Sequence, residues 1–99
     1  MNHGLFKCTG FQWDDGNSEK NWISHLVSKS ECEQIFFNEP LIILYDPKHS
    51  LSENRWAAFG KTDADRLLTI IFTRRGKQLR VISARDMNRK ERKYYEKAG

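Results

Sequence analysis

The chain has 99 residues, which suffices for one domain with a modest core and excludes separate cofactor and substrate domains. Its formal net charge is +4 and its pI is about 9.2. Eleven Lys and Arg against three Asp and Glu lie between Arg66 and Lys97, a net +8, so the remaining residues sum to −4. This regional positive charge predicts a surface for a polyanion, and nucleic acid fits that description.

Two cysteines occur, Cys8 and Cys32, and neither lies in a CxxC pair or near a histidine at zinc-ligand spacing. We therefore expect reduced thiols, no metal and no cofactor. The first ten residues hold no apolar run of signal-peptide length, and no segment approaches the ~20 apolar residues of a membrane span. A cytoplasmic location is the default expectation.

The N-terminal third begins with a predicted strand and helix. Residues 1–8 lack periodicity and are expected to form a flexible extension before a single domain over residues 9–99. In the predicted strand Thr9–Trp13, two aromatic residues alternate onto one face. A short amphipathic helix from Asn17 to Leu26 is expected to follow.

A capping box marks the start of a second predicted helix. Ser28 is followed three residues later by Glu31, so each side chain can accept from the other's backbone N–H. Pro40 cannot continue a helix and ends this one. The predicted buried stripe has i, i+3, i+4 spacing and consists of Cys32, Ile35 and Phe36.

Four strands are predicted next. They are expected at Leu41–Tyr45, Glu53–Lys61, Arg66–Arg74 and Leu79–Arg85. The third is almost continuously apolar, which is typical of a central strand covered on both faces. The Gly-containing turn at residues 75–77 predicts an antiparallel hairpin between the last two strands.

A basic terminal helix completes the predicted fold. Asp86 is expected to cap it, with Met87, Tyr94 or Tyr95, and Ala98 as its apolar contacts. The fold class is therefore α+β: an N-terminal strand and two helices, a four-stranded antiparallel meander, and a C-terminal helix.

Many spaced residues in one order resemble the BrnT toxins of type II toxin-antitoxin systems. The resemblance extends from about Phe11 to Tyr95 and is carried by Phe11, Trp13, Asp14, Asn21, His25, Val27, Ser28, Glu31, Ile35, Phe36, His49, Ser50, Glu53, Arg55, Phe59, Gly60, Arg66, Leu68, Thr73, Arg74, the run R-V-I-S-A-R at residues 80–85, Glu91, Arg92 and Tyr95. It implies a RelE-like fold and ribonuclease activity. It also implies a BrnA-type antitoxin partner with a DNA-binding, ribbon-helix-helix-like domain, and a heterotetramer of two toxins with two antitoxins.

The chain departs from the family pattern in its first predicted helix. Ser24-His25-Leu26 stands where Lys-His-Gly is common, and Asn17 stands where a lysine is usual. Lys29 replaces a usual aromatic residue. Two missing cations are compatible with weakened RNA contacts, or with a protein that has lost toxicity and kept its partner.

Arg85 is the leading candidate for a catalytic residue. It ends a predicted strand just before a helix start, where unpaired N–H groups favour anions, so its guanidinium can clamp a phosphate. The alternative is a structural pair with Asp86 or Glu91. Arg80 is five residues earlier and on the opposite face by parity, unless a bulge intervenes.

Three further arginines are candidate RNA ligands on the strands. Arg66 and Arg74 lie at the two ends of one predicted apolar face, with surface charge as the alternative role. Arg55 lies two residues from Glu53, which either orients it by an ion pair or acts as a general base.

Helical candidates complete the set. His25 can move a proton near neutral pH, and Lys20, in the same predicted helix, can steady the attacking or leaving oxygen. Arg89 and Arg92, on the exposed side of the terminal helix, are expected to contact RNA.

Two functions remain open on the sequence. The first is an endoribonuclease toxin that cleaves RNA without a metal, using clustered basic residues. The second is a catalytically weak module that only engages its antitoxin or another polyanion.

Overall fold

The computed structural model describes residues 10–13, 26–50 and 52–98. Within these ranges it contains five strands, two α-helices and one short 3-10 helix. They are β1 (Gly10–Gln12), α1 (Lys29–Gln34), β2 (Ile42–Tyr45), the 3-10 helix Pro47–His49, β3 (Arg55–Lys61), β4 (Leu67–Arg75), β5 (Gln78–Asp86) and α2 (Arg89–Ala98). The predicted extension at residues 1–8 and the predicted helix up to His25 lie outside the described residues.

The strands form one mixed sheet in the order β1-β5-β4-β3-β2. Strands β2 to β5 are an antiparallel meander, as predicted, and β4 is the middle strand. Strand β1 joins the edge of β5 in parallel. The α+β class is therefore confirmed, and the parallel pairing of β1 adds a feature that alternation alone does not predict.

Alternation along β4 assigns the two faces of the sheet. Leu68, Ile70 and Phe72 point to one side, where they pack under α1 in the larger buried cluster. We call this side the α1 face. On the other side, the α2 face, Tyr95 of α2 joins Phe59 of β3 in a smaller cluster.

The capping box of α1 is confirmed. The Ser28 hydroxyl accepts from the Glu31 N–H at 3.1 Å, and the Glu31 carboxylate accepts from the Ser28 N–H at 3.1 Å. The predicted buried stripe is also correct, since Cys32, Ile35 and Phe36 are all buried. Burial, with the nearby carboxylates Glu31 and Glu33, raises the pKa of the Cys32 thiol to about 12, so this group remains protonated at neutral pH.

The cap of α2 corrects a prediction. Asn88, not Asp86, begins this helix: its side chain accepts from the Glu91 N–H at 2.8 Å, and Glu91 accepts from the Asn88 N–H at 2.9 Å. Asp86 is still part of β5 and its carboxylate accepts instead from Arg66.

The packing of α2 agrees with the predicted pattern at most positions. Met87 and Tyr95 are buried, and the Tyr95 hydroxyl donates to the Pro40 carbonyl at 2.5 Å. Ala98 is exposed, so its predicted contact is wrong, and Tyr95 is the only residue of α2 that is buried.

Two predicted boundaries are also wrong. Leu26 has a φ of +53° and is 62% exposed, so no right-handed helix extends to it. Strand β3 begins at Arg55 rather than Glu53, because the Ser50 hydroxyl accepts the Arg55 N–H at 2.9 Å and bends the chain before the strand.

Gly60 allows α1 to approach β3. A Cβ atom at this position would lie 2.9 Å from Ile35 Cβ and 3.1 Å from the Ile35 carbonyl oxygen. Real Cβ atoms do not approach so closely, so the end of α1 and the strand fit together only with glycine here.

We expect Gly60→Ala to lower the free energy of unfolding by about 1–3 kcal/mol, because the added methyl group overpacks the contact with Ile35. Urea unfolding monitored by circular dichroism measures the change. Gly10→Ala is the matched control, since a Cβ there meets nothing within 4 Å. Equal losses in both variants would contradict the close-approach explanation.

Candidate nucleic-acid interface

A β-bulge in β5 brings two candidate arginines to one face. Ile71 of β4 is opposite Ser83, whereas the next residue, Phe72, is opposite Val81, so Ile82 is an extra residue. The bulge reverses the parity of the strand. The expectation that Arg80 and Arg85 lie on opposite faces therefore fails, and the exception foreseen for a bulge applies.

The register shows which face they share. Arg80 is opposite Thr73 and Arg85 is opposite Thr69. The two threonines are four residues apart on one strand, so their side chains lie on the same side, the α2 face. A sequence signal exists for this bulge: the buried β5 residues Leu79, Val81 and Ala84 change from a step of two to a step of three.

Arg55 joins Arg80 in a row across the sheet. Thr73 of β4 is opposite Arg55 on one side and opposite Arg80 on the other, and Gln12 of β1 is opposite Arg80. We call Arg55, Thr73 and Arg80 the arginine row. Because neighbouring strands are about 4.8 Å apart, the two arginine Cα atoms are separated by about 10 Å.

The side chains of the row are partly sunk into the sheet surface. Thr73 is buried and its hydroxyl donates to the Asn54 carbonyl at 2.7 Å. Arg55 and Arg80 are partly exposed. The Arg55 Nε is buried and meets no hydrogen-bond acceptor among the described residues. A buried N–H of this kind favours an added acceptor, such as a phosphate oxygen.

Glu53 lies beside the row. Its carboxylate is 3.5 Å from Arg55 and 3.4 Å from Arg75, so the predicted ion pair with Arg55 exists, with Arg75 as a second partner. A depression of about 300 Å³ opens at this end of the sheet and is lined by Glu53, Asn54, Trp56, Thr73, Arg74 and Gly76.

Arg85 is paired with the acid of the α2 capping box. Its two terminal nitrogens donate to the two oxygens of Glu91, at 2.6 and 2.9 Å. This hydrogen bonding raises the pKa of Arg85. Burial alone would raise the pKa of Glu91, but the hydrogen bonds from Arg85, the Asn88 N–H and the Thr69 hydroxyl outweigh it and lower that pKa. The structural alternative for Arg85 is thus realised, and it fastens α2 to the sheet.

Arg66 is tied at the opposite side of the sheet. Its guanidinium donates to Asp86 at 2.8 and 3.1 Å, to Glu31 at 3.1 Å and to the Leu26 carbonyl at 2.8 Å. The hydrogen bonds that Arg66 donates to Asp86 and Glu31 raise the pKa of Arg66. Because its donors are directed at protein oxygens, Arg66 joins the start of α1 to the end of β5.

The remaining candidates are more dispersed. Arg74 lies on the α1 face by alternation with Phe72, and its Nε donates to the Gly76 carbonyl at 2.9 Å. Arg89 and Arg92 are exposed on α2, as expected. Lys20 and His25 lie outside the described residues.

The described ranges contain neither a cluster of metal ligands nor a membrane-spanning helix. Across residues 10–13, 26–50 and 52–98, no three His, Cys, Asp or Glu side chains come together as metal ligands. No helix in those ranges is long and apolar enough to cross a bilayer.

Comparison with known proteins identifies the class. A family model described as "Ribonuclease toxin, BrnT, of type II toxin-antitoxin system" matches residues 13–91. The match places the chain among the ribonuclease toxins of type II toxin-antitoxin systems. Within that class, the chain belongs to the BrnT family, and the resemblance noted in its sequence is confirmed.

A solved structure has a similar fold. The crystal structure of the Brucella abortus ribonuclease toxin BrnT, at 1.1 Å resolution, aligns with a TM-score of 0.62 and 20% identity. The alignment covers 82% of this chain and 99% of that chain. At this identity the likeness concerns the fold alone. Among curated proteins, none matches the sequence significantly.

The Glu91 network predicts a pH dependence of stability. In the folded protein the pKa of Glu91 is lowered below its ordinary value of 4.5. The ionised carboxylate therefore contributes fully to the stability of the fold above pH 4.5, and this contribution is lost as the pH falls through the lower pKa of the folded state. We expect Glu91→Gln to be less stable by about 1–3 kcal/mol at pH 7. The difference from the natural chain should narrow on acidification to about pH 3.

Urea unfolding at a series of pH values measures this difference. Glu96→Gln is the control, because Glu96 is an exposed carboxylate on the same helix. Parallel pH profiles for the natural chain and Glu91→Gln would show that the network adds no pH-linked stability.

Proposed function

We propose that this protein is an endoribonuclease toxin that cleaves RNA without a metal, through arginines gathered on the α2 face of its sheet. Membership of the BrnT family supports the ribonuclease class. The observation that carries the site is the arginine row, with Arg55 and Arg80 on either side of Thr73 and Arg85 on the same face. Guanidinium groups so arranged suit a phosphodiester, whose charge they neutralise and whose oxygens they can bind in pairs.

The proposed reaction uses the RNA's own nucleophile. The ribose 2′-oxygen attacks the adjacent phosphorus, and the bond from phosphorus to the 5′-oxygen of the next nucleotide breaks. A base takes the 2′-hydroxyl proton, and an acid delivers a proton to the leaving oxygen. Negative charge builds on the phosphoryl oxygens in the transition state, and fixed cations stabilise it most when they are already in place.

Arg80 is the proposed centre of this charge stabilisation. It lies near the start of β5, on the α2 face, and only β4 separates it from Arg55. Because Arg85 is neutralised by Glu91, its proposed role is to position α2 beside the site rather than to clamp the phosphate. Glu53 is the proposed general base among the described residues, because its carboxylate adjoins Arg55.

The other candidates receive different roles. Arg89 and Arg92 are exposed on α2 and are proposed to contact the RNA backbone outside the reacting linkage. Arg66 and Arg74 are not part of the proposed site. Arg66 forms ion pairs with Asp86 and Glu31, and Arg74 lies on the α1 face. His25 and Lys20 remain candidates for proton transfer from the sequence.

Replacing Arg80 tests the site. We expect Arg80→Gln to reduce RNA cleavage by the purified chain at least about 100-fold, because it removes a cation placed to stabilise the transition state. The measurement is single-turnover cleavage of a labelled RNA at saturating enzyme. A melting temperature within a few degrees of the natural chain excludes unfolding as the cause.

Arg74→Gln is the matched control on the adjacent strand. It removes the same charge from the opposite face, so its cleavage rate should stay within about threefold of the natural rate if only long-range electrostatics change. Equal losses in Arg74→Gln and Arg80→Gln would remove the site assignment.

An antitoxin completes the proposed system. Membership of a type II toxin-antitoxin family implies an antitoxin partner. We propose that it is of the BrnA type, with a DNA-binding ribbon-helix-helix domain that dimerises and so joins two toxins in a heterotetramer. A short neighbouring reading frame that encodes such a domain would support this pairing, and light scattering of the co-expressed pair would measure the stoichiometry.

One observation favours a second function, a catalytically weak binding module. Arg66 and Arg85 are both neutralised by acids within the chain. A surface with fewer available cations suits an antitoxin contact without catalysis. In the nuclease, by contrast, the two arginines of the row, Arg55 and Arg80, must stabilise the transition state without help from Arg66 and Arg85.

Expression of the chain alone separates the two functions. For the nuclease we expect rapid growth arrest with RNA decay, relieved by co-expression of the antitoxin. The binding module predicts normal growth and intact RNA with the same protein level. The Arg80→Gln variant, expressed equally, should abolish the arrest if cleavage is its cause.

A further inference from the structure

The exposed side of α2 concentrates cations that no acid of the chain neutralises. Eight of its ten residues are exposed, and the exceptions are Glu91 and Tyr95. Five of the eight are positively charged, and we call them the α2 cations: Arg89, Lys90, Arg92, Lys93 and Lys97. Glu96 is the one exposed acid of the helix, since Glu91 is paired with Arg85. Across the described ranges, no side chain of the α2 cations takes part in an ion pair or a hydrogen bond, so all five are available to a partner.

Tyr94 places an aromatic ring among these cations. Its side chain is 48% exposed, and its ring is nearly perpendicular to that of Phe59, with the ring centroids 6.2 Å apart. Phe59 is only 7% exposed, so this contact holds the Tyr94 ring against the sheet. About half of the Tyr94 surface is nevertheless open to solvent.

Helix geometry places a lysine on each side of this ring. Lys90 precedes Tyr94 by four residues and Lys97 follows it by three, and residues at these spacings are neighbours on a helix surface. The helix rises 1.5 Å per residue, so the two lysines are about 10 Å apart along its axis, with Tyr94 between them. An exposed aromatic ring between two cations suits single-stranded nucleic acid, because the ring stacks a base and the cations bind the neighbouring phosphates.

This part of α2 lies on the same side of the sheet as the arginine row. Phe59, which contacts Tyr94, and Arg55, in the row, are four residues apart on β3. Their side chains therefore lie on one face, and their Cα atoms are about 13 Å apart along the strand. A short run of single-stranded RNA can span this distance and occupy both places.

We propose that Tyr94, Lys90 and Lys97 form a second RNA-binding site, which stacks one unpaired base of the substrate at a short distance from the linkage that is cut. We call these three residues the stacking site. Stacking on a side chain needs a base whose face is free, so this site selects single-stranded over double-stranded RNA. The inference rests on the proposed ribonuclease function, and it adds the substrate class and a binding residue remote from the reaction.

The chemistry of the stacking site favours RNA over an acidic protein surface. An acidic surface would neutralise the two lysines, but the ring between them would still need an apolar partner. Each nucleotide carries a flat base and an anionic phosphate in one covalent unit, so RNA supplies both in the required alternation. The family is described as ribonuclease toxins, which makes RNA the polyanion expected at this surface.

The test measures binding separately from cleavage. A labelled RNA with methylated 2′-oxygens has no attacking hydroxyl, so it can bind without being cut, and fluorescence anisotropy gives its Kd. The strand is measured alone and annealed to its complement. Tyr94→Leu removes the ring and still covers Phe59 with an apolar side chain, whereas Tyr94→Phe retains the ring. Melting temperatures close to that of the natural chain show that both variants are folded.

We expect Tyr94→Leu to weaken binding of the single strand at least about fivefold, the lower end of the range for one base stacked on an aromatic side chain. Its affinity for the duplex should change less than about twofold, because paired bases have no free face. Tyr94→Phe should bind both forms as the natural chain does. With unmodified RNA, Tyr94→Leu should raise KM by the same factor and leave kcat unchanged, because a contact remote from the reaction binds ground state and transition state equally.

Lys97→Gln tests the phosphate contact. We expect it to weaken binding of both the single strand and the duplex. For the single strand, the plot of log Kd against log salt concentration should become less steep by about 0.7, the contribution of one phosphate contact. Lys29→Gln is the matched control, because Lys29 is an exposed lysine of α1, on the other side of the sheet. Equal slopes for the two variants would contradict the phosphate contact.

The remaining outcomes separate this inference from the proposed function. An unchanged single-strand Kd in Tyr94→Leu overturns the stacking site, as does an equal loss of affinity for the duplex, and neither result affects the proposed reaction. A natural chain that binds the methylated strand through Tyr94 but cuts no unmodified RNA overturns the proposed reaction and supports the stacking site as an RNA-binding surface. Weaker antitoxin binding in Tyr94→Leu, with the RNA Kd unchanged, overturns the inference and assigns this surface to the protein partner.

Discussion

The pairing of β5 with β4 is the constraint from which the site follows. The extra residue Ile82 allows Leu79 and Val81 to fill the core on one side of the bulge and Ala84 on the other. In a regular strand of the same sequence, Ala84 would lie on the opposite face from Leu79 and Val81, so one side of the bulge would face away from the core. The bulge therefore satisfies the core, and the positions of Arg80 and Arg85 on a common face are its consequence.

The second organising feature is an acid shared between a helix cap and an arginine. Glu31 closes the capping box of α1 and also accepts from Arg66, while Glu91 closes that of α2 and also accepts from Arg85. Each carboxylate is partly buried, and its several donors compensate for lost solvation. Both helices are thereby attached to the sheet at their first turns, where short helices otherwise fray.

The same facts explain how far the sequence alone leads. Periodicity predicted β2 to β5 within two residues at each end and the buried side of α1, because burial imposes those patterns locally. The cap of α2 was misassigned to Asp86, although the spacing from Asn88 to Glu91 is the same as that from Ser28 to Glu31. The sequence therefore contains the capping box of α2, and the choice of Asp86, the acid that directly follows the strand, overlooks it.

Pairings between distant residues were less accessible. Arg66 is neutralised by Glu31 of α1 and Asp86 of β5, which are 35 and 20 residues away from it in the chain. The alternation of apolar and polar residues carries no information on such distant pairs. The parity of Arg80 depended on one bulged residue, which the three-residue step from Val81 to Ala84 could have indicated. Whether Arg80 and Arg85 share a face is decided at that single position.

Asp86 illustrates how a surface residue can act as a junction. Its carboxylate accepts from Arg66, which continues to Glu31 and α1, while its carbonyl accepts from Arg85 at 3.2 Å, which continues to Glu91 and α2. The two helices lie on opposite sides of the sheet and have no need to touch, yet they share this anchor. This exposed aspartate therefore holds α1 through its side chain and contacts Arg85 through its backbone, so the loss of its carboxylate would release Arg66 and leave the contact with Arg85 in place.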